Sequence, residues 1–212
     1  MCNFLNDISS DVFNVFNVWK NHRNELKKAI EQTPMDENLF KFWKVNNEID
    51  PVQKAVRYLF LSNLSLYNKG FTFKFNPGMH DKLILLDNIM NDCYFKFLNN
   101  SYFSNKDFRD FIGMFYNKNN SDSVFIYCDP PYLGTESYDD TFIEKDSFDL
   151  FECLEKTNLR WAMSEFEHPF ISAQVKDRKL NVTEIGERKN IHNVKMELLI
   201  TNYKVYSQIS LI

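Results

Sequence analysis

Glycine is scarce in this chain. The five glycines among 212 residues, Gly70, Gly78, Gly113, Gly134 and Gly186, are all isolated. No GxG pair occurs, so these residues contain no glycine-rich cofactor motif. The four cysteines, Cys2, Cys93, Cys128 and Cys153, lie far apart without a CxxC pair, which argues against a zinc framework or a small disulfide scaffold. Basic excess is missing too. A net charge of −4 and a pI near 5.6 speak against nucleic-acid binding by bulk charge, though not against a local basic face. "WKNHRNELKK" and "KDRKL" concentrate cations but read as solvated helix faces. No 18-residue apolar segment and no signal peptide are evident, so a cytoplasmic chain without a membrane partner is expected.

What is present is a globular composition. Hydrophobic residues make up 44% and charged residues 25%, enough for one domain with a sizeable core and a small insertion. The 21 phenylalanines, with abundant Asn, Lys and Ile, fit an AT-rich genome and carry little functional weight.

Local patterns suggest the following elements. "MCNFL" is a short apolar run ending at Asn6-Asp7, and Ser9, Ser10 or Asp11 can cap one helix running to Thr33-Pro34. Its apolar positions are Val12, Phe16, Trp19, Leu26 and Ile30. Asp50 and Pro51 open another helix with a Val52, Val56, Leu59, Leu66 stripe, closed by Gly70. "FTFKF" alternates like a strand before an "NPG" turn, "DKLILLDNIM" reads as a helix, and "CYFKFL" reads as a strand. "NKDFRDFIGMFYNK" predicts a helix with Phe108, Ile112 and Phe115 on one face. The strand "VFIYC" precedes Asp-Pro-Pro-Tyr and a polar loop. After the loop come a helix over "DSFDLFECLEK", a strand "LRWAMS", a short helix near "HPFISAQV", and closing strands "NVTEI" and "MELLITNY". Alternation of strands and helices from about residue 93 predicts an open, mainly parallel α/β sheet, with a mostly helical insertion over 30–90.

Ligands bind beyond the carboxyl ends of strands in such sheets. Asp7, Asp107 and Asp129 all fall at expected strand ends. The turn at Asp129 has its own chemistry. Pro130 and Pro131 fix φ, remove two backbone donors and push the preceding residues towards extended geometry. Asp129 and the Pro130 carbonyl offer two acceptors, and Tyr132 offers a flat ring. Together they suit a planar base carrying an exocyclic amine. A capping Asp with a packed Tyr is the plainer alternative. Asp7 and Asp107 could likewise be helix caps, and Phe108 plain core.

"CDPPYLGTESYDDTF" resembles the catalytic motif of Dam-type adenine-specific DNA methyltransferases. "NFLNDISSDVFNVF" resembles their acidic-loop motif, "NKDFRDFI" their Asp-Phe element, and "GERKNIHNVKMELLITNY" their closing hairpin. The likeness follows the family's order over nearly the whole chain. It implies a Rossmann-like α/β fold that transfers a methyl group from S-adenosylmethionine to N6 of a flipped-out adenine in double-stranded DNA. By that resemblance Asp129, Pro130 and Tyr132 are catalytic, and Asp7, Asp107, Phe108 and Asp129 contact the cofactor. Residues 1–29 and 91–212 would form the catalytic domain and 30–90 a DNA-recognition insertion.

The family's FxGxG motif and first strand are not found in this sequence. The expectation is therefore a catalytic domain incomplete at its N-terminus, weakly active or inactive alone. Three explanations account for the motif's absence: a start placed too late, a gene split with the motif on an N-terminal partner chain, or a decayed remnant. The competing readings are a non-catalytic DNA-binding remnant or subunit of a split methyltransferase, and an enzyme methylating RNA or protein glutamine. The long stretch between Asp7 and Asp129 speaks against the last.

Overall fold

In the computed structural model, residues 2–63, 79–116, 123–133, 142–189 and 194–205 are described. They divide into two compact units, Met1–Phe108 and Arg109–Ile212. The first unit begins with β1 (Asn3–Asn6) and then turns helical. Ser9 accepts a hydrogen bond from the Val12 N–H (3.4 Å) and caps α1 (Ser10–Asn21). The single helix expected as far as Thr33 is broken. His22 leaves helical geometry (φ −133°), and α2 (Arg23–Gln32) starts after it. Asp36 caps α3 (Glu37–Val45) through the Asn38 and Leu39 N–H groups. Asp50 and Pro51 open α4 (Pro51–Asn63) as expected, with the Asp50 carboxylate 2.9 Å from the Gln53 N–H. The Leu66–Gly70 end of that expected helix, "FTFKF" and "NPG" lie outside the described residues. Helix α5 (Met79–Met90) follows.

These helices and α1 bury one core, with Val15, Val18, Leu26, Ile30, Phe40, Trp43, Ala55, Val56, Phe60 and Ile89 at its centre. Trp43 meets Phe60 edge-on at 5.0 Å. Lys20 and Arg23 of "WKNHRNELKK" are engaged and not simply solvated, contrary to the sequence reading. The Lys20 ammonium donates to the Ser101 carbonyl at 2.7 Å. Arg23 donates to the Ile89 carbonyl and to Asp92 while lying 4.3 Å over the Phe95 ring. Their stems lie along apolar surface and their charges tie these helices to neighbouring elements.

"CYFKFL" is a helix rather than the expected strand. Asn91 accepts from the Cys93 and Tyr94 N–H groups and opens α6 (Asp92–Asn99). Once capped, the segment turns Leu98 inward at helical spacing. The strand comes just after it, as β2 (Ser101–Ser104), which pairs in parallel with β1 from Asn3↔Ser101 to Asn6↔Ser104. Phe103 stacks on Phe16 of α1, and Phe4 stacks on Tyr102 on the outer face. Helix α7 (Phe108–Gly113) is shorter than expected and buries Ile112.

The second unit holds β3 (Phe125–Cys128), α8 (Glu144–Lys156), β4 (Arg160–Phe166), α9 (Pro169–Asp177), β5 (Asn181–Lys189) and β6 (Val194–Thr201). Its sheet runs β3-β4-β6-β5. The β3–β4 pair is parallel and the two pairs that follow are antiparallel. The expected mainly parallel sheet is thus a mixed α/β arrangement among the described residues. Its closing strands run antiparallel because only four residues separate β5 from β6, too few for a crossover helix. The central strand β4 is buried on both faces, and Phe151 of α8 meets its Trp161 edge-on. Arg178 of "KDRKL", also expected to be solvated, is nearly buried and pairs with Glu152. The Asn91→Ala variant is expected to lose about 1 kcal/mol of stability through the α6 cap. An unchanged urea midpoint would contradict that cap.

Candidate active site

The register of the parallel pair builds the site. Cys128, the last residue of β3, sits opposite Met163, and β4 continues through Ser164, Glu165 and Phe166. Each of these three residues holds one part of the turn that leaves β3. The Ser164 hydroxyl donates to Asp129 Oδ1 at 2.8 Å and accepts from the Tyr127 hydroxyl at 3.1 Å. Glu165 Oε1 accepts the Leu133 N–H at 2.7 Å. The Phe166 ring packs edge-on against Tyr132, with centroids 4.6 Å apart.

Neighbouring β6 adds a fourth anchor. Glu197 lies opposite Phe166 on one side and Gly186 on the other. Its Oε1 accepts the Tyr132 hydroxyl and its Oε2 the Arg188 guanidinium, each at 2.7 Å. Asp129 itself remains exposed, Pro130 and Tyr132 are half-buried, and Leu133 is buried. The turn is therefore fastened from behind, with a carboxylate facing solvent. Arg188 and then Tyr132 hold the Glu197 carboxyl below its ordinary range, so it stays ionised. Burial is the main cause that pushes the Tyr132 phenol up, with Glu197 and Asp129 adding to it.

Glu165 is the opposite case. It is only 2% exposed, and its second oxygen, Oε2, is buried without a hydrogen-bond partner. Burial pushes its carboxyl from 4.5 up to about 8, although the Leu133 N–H works against the shift. Cys128, at the end of β3, has a thiol pushed up to about 12 by burial, which disfavours the reactive thiolate.

The other predicted site residues belong to the first unit. Asp7 follows β1 and Asp107 follows β2, beyond the carboxyl ends of one parallel pair. Asp7 is exposed, and its Oδ1 accepts the Ser9 N–H at 2.7 Å. It thereby shapes the loop, while Ser9 caps the helix. The Asn105 side chain donates to the Asp7 and Ile8 carbonyls, and Asn6 pairs with the Lys106 backbone, so the two loops form one laced rim. Asp107 is half-buried in the loop before α7, and Phe108 is the first residue of that helix. In the closing strand motif, Asn202 is structural. It accepts the Trp161 N–H and donates to the Leu159 carbonyl, fixing the start of β4.

The model of the D12 class N6 adenine-specific DNA methyltransferases matches residues 3–198. The chain belongs to that family. No curated protein matches it. Its family chemistry is methylation of DNA adenine with S-adenosylmethionine as donor, and the mixed α/β architecture agrees. No helix among the described residues is long and apolar enough to cross a membrane. For a methyltransferase the supporting residues Ser164, Glu165 and Glu197 are the ones that motif reading passed over. A signal for Glu165 existed: a lone carboxylate inside the apolar run "WAMSEF" must be buried or break the strand.

Glu165 also sets a pH dependence. The folded chain keeps a proton that the unfolded chain releases between pH 4.5 and about 8. The contribution of Glu165 to native stability falls as pH rises through that window, by at most about 1.4 kcal/mol per pH unit. Glu165→Gln removes the titration. Its melting temperature is expected to gain on the parent from pH 5 to pH 8, and parallel curves would contradict the assignment.

Proposed function

We propose that the chain supplies the acceptor half of a site-specific DNA adenine N6-methyltransferase, with Asp129, Pro130 and Tyr132 as the groups that receive the adenine. The anchoring of Asp129 by Ser164, at the carboxyl end of β3 and beside Tyr132, carries this reading. One Asp129 oxygen is engaged from behind, which turns the carboxylate outward for an amine. Asp129 and the Pro130 carbonyl would accept the two N6 hydrogens. That draws the nitrogen lone pair out of ring conjugation and stabilises the positive charge that develops on nitrogen. A base stacked in a duplex must be extruded to reach these groups, and the Tyr132 ring would stack on it.

S-adenosylmethionine, when bound, supplies an electrophilic methyl group on a sulfonium. The donor set on the laced rim fits part of that molecule: the exposed Asp7 carboxylate suits ribose hydroxyls, and Asp107 with Phe108 suits an adenine ring. No residues here offer a glycine-rich cradle for the methionine end. In this reading the cradle comes from polypeptide outside these 212 residues, either an adjoining segment or a partner chain. It would bring a further strand of a Rossmann-like sheet. Among the described residues β1 pairs only with β2 and β3 only with β4, so each keeps an edge that can accept a strand. Residues 1–29 and 91–212 are the catalytic part, and the helices of 30–90 are the DNA-recognition insertion.

The 212-residue chain alone is expected to leave labelled methyl groups on S-adenosylmethionine when mixed with double-stranded DNA. Adding a segment that carries FxGxG should start transfer, and Asp129→Ala should then abolish it while largely sparing cofactor binding. Undiminished turnover by Asp129→Ala would defeat the role given to Asp129.

A further inference from the structure

We propose that Glu165 is a positioning residue for the Asp-Pro-Pro-Tyr turn, its buried carboxyl gripping the Leu133 N–H and thereby fixing the direction in which Asp129 and the Pro130 carbonyl face a substrate amine. The inference rests on the reading of those two groups as the amine acceptors. The geometry supplies the need. Pro130 and Pro131 have no N–H, so this part of the turn cannot close itself with ordinary backbone hydrogen bonds. Leu133 carries the second N–H after the prolines, and Glu165 takes it at 2.7 Å in a buried contact. The entry to the turn is held by Ser164 on Asp129 at 2.8 Å, from the adjacent residue of β4. Entry and exit are thus tied to one strand, and the four residues from Asp129 to Tyr132 span a fixed gap.

The cost of this arrangement argues for a role. A glutamate 2% exposed with one oxygen unpartnered is a poor choice for packing alone. The charged groups whose fields reach it are Lys195 on β6 and Asp129 on the turn, which oppose each other. A rigid support behind the groups that meet substrate is how a site holds near-attack geometry.

The test compares Glu165→Leu, which keeps much of the volume but has no acceptor, with Glu165→Gln, which keeps the acceptor. Residue-specific amide exchange on the 212-residue chain is the first readout. The Leu133 N–H is expected to exchange about tenfold faster in Glu165→Leu, with the β4 amides unchanged, and to stay slow in Glu165→Gln. In preparations competent for methyl transfer, Glu165→Leu should lose about 100-fold in kcat with KM for DNA unchanged, and Glu165→Gln should retain kcat. An unaltered Leu133 amide in the Leu variant, a Gln variant as damaged as the Leu variant, or a loss confined to KM would overturn the proposal. If Glu165→Leu does not fold, the Leu133 amide shift of the parent chain decides. A shift that follows a titration missing from Glu165→Gln supports the grip, and a shift flat in both chains overturns it. Absence of methyl transfer in every preparation would count against the functional reading and leave the exchange result standing.

Discussion

Two adjacent prolines set the terms for the second unit. They stiffen the path out of β3 and so fix the directions of the Asp129 carboxylate and the Pro130 carbonyl. They also remove the backbone donors with which such a turn would normally fasten itself. Side chains from elsewhere have to supply the fastening, and β4 does so because it outruns β3 by three residues. Ser164, Glu165 and Phe166 each take one partner on the turn, and Glu197 reaches across from β6 for Tyr132. The parallel register of β3 and β4 is therefore part of the site. A slip of one residue would turn Ser164 and Glu165 to the wrong faces.

The two glutamates behind the turn illustrate how environment divides one chemistry into two roles. Glu197 has a guanidinium and a phenol for its two oxygens and keeps its charge. Glu165 is buried with the Leu133 N–H on one oxygen, and burial pushes its carboxyl up to about 8. One carboxyl orients the aromatic ring and the other secures the exit of the turn. In the first unit, cations that looked like surface decoration do comparable work. Lys20 and Arg23 span from α1 and α2 to the backbone carbonyls of Ser101 and Ile89.

Much of this was legible in the sequence because it depends on neighbours in the chain. The cap at Asp50 with Pro51 behind it uses a local hydrogen bond and a fixed dihedral, and the apolar run before Asp-Pro-Pro-Tyr marks its strand by composition. The family was legible for the same reason: its motifs are short, contiguous and ordered, and the match over residues 3–198 agrees with them. "CYFKFL" was misread because three aromatics and alternation suit a strand, while a single Asn91 side chain capping two N–H groups decides for helix. The break at His22 likewise follows no proline or glycine. It follows the core, which needs Val15 and Val18 on one segment and Leu26 and Ile30 on the next to face the same interior.

By itself, then, the sequence determined the local chemistry: a stiff turn carrying two acceptors and a ring, a carboxylate after the first strand, and the family those elements belong to. Only the tertiary structure decided what holds the turn. Its supports at 164, 165 and 197 lie 32 or more positions away in the chain and meet it through sheet register. Strand pairing over such distances is set by the burial of whole faces and not by any neighbouring residue. A motif therefore reveals which groups are offered, and the fold alone reveals what keeps them pointed.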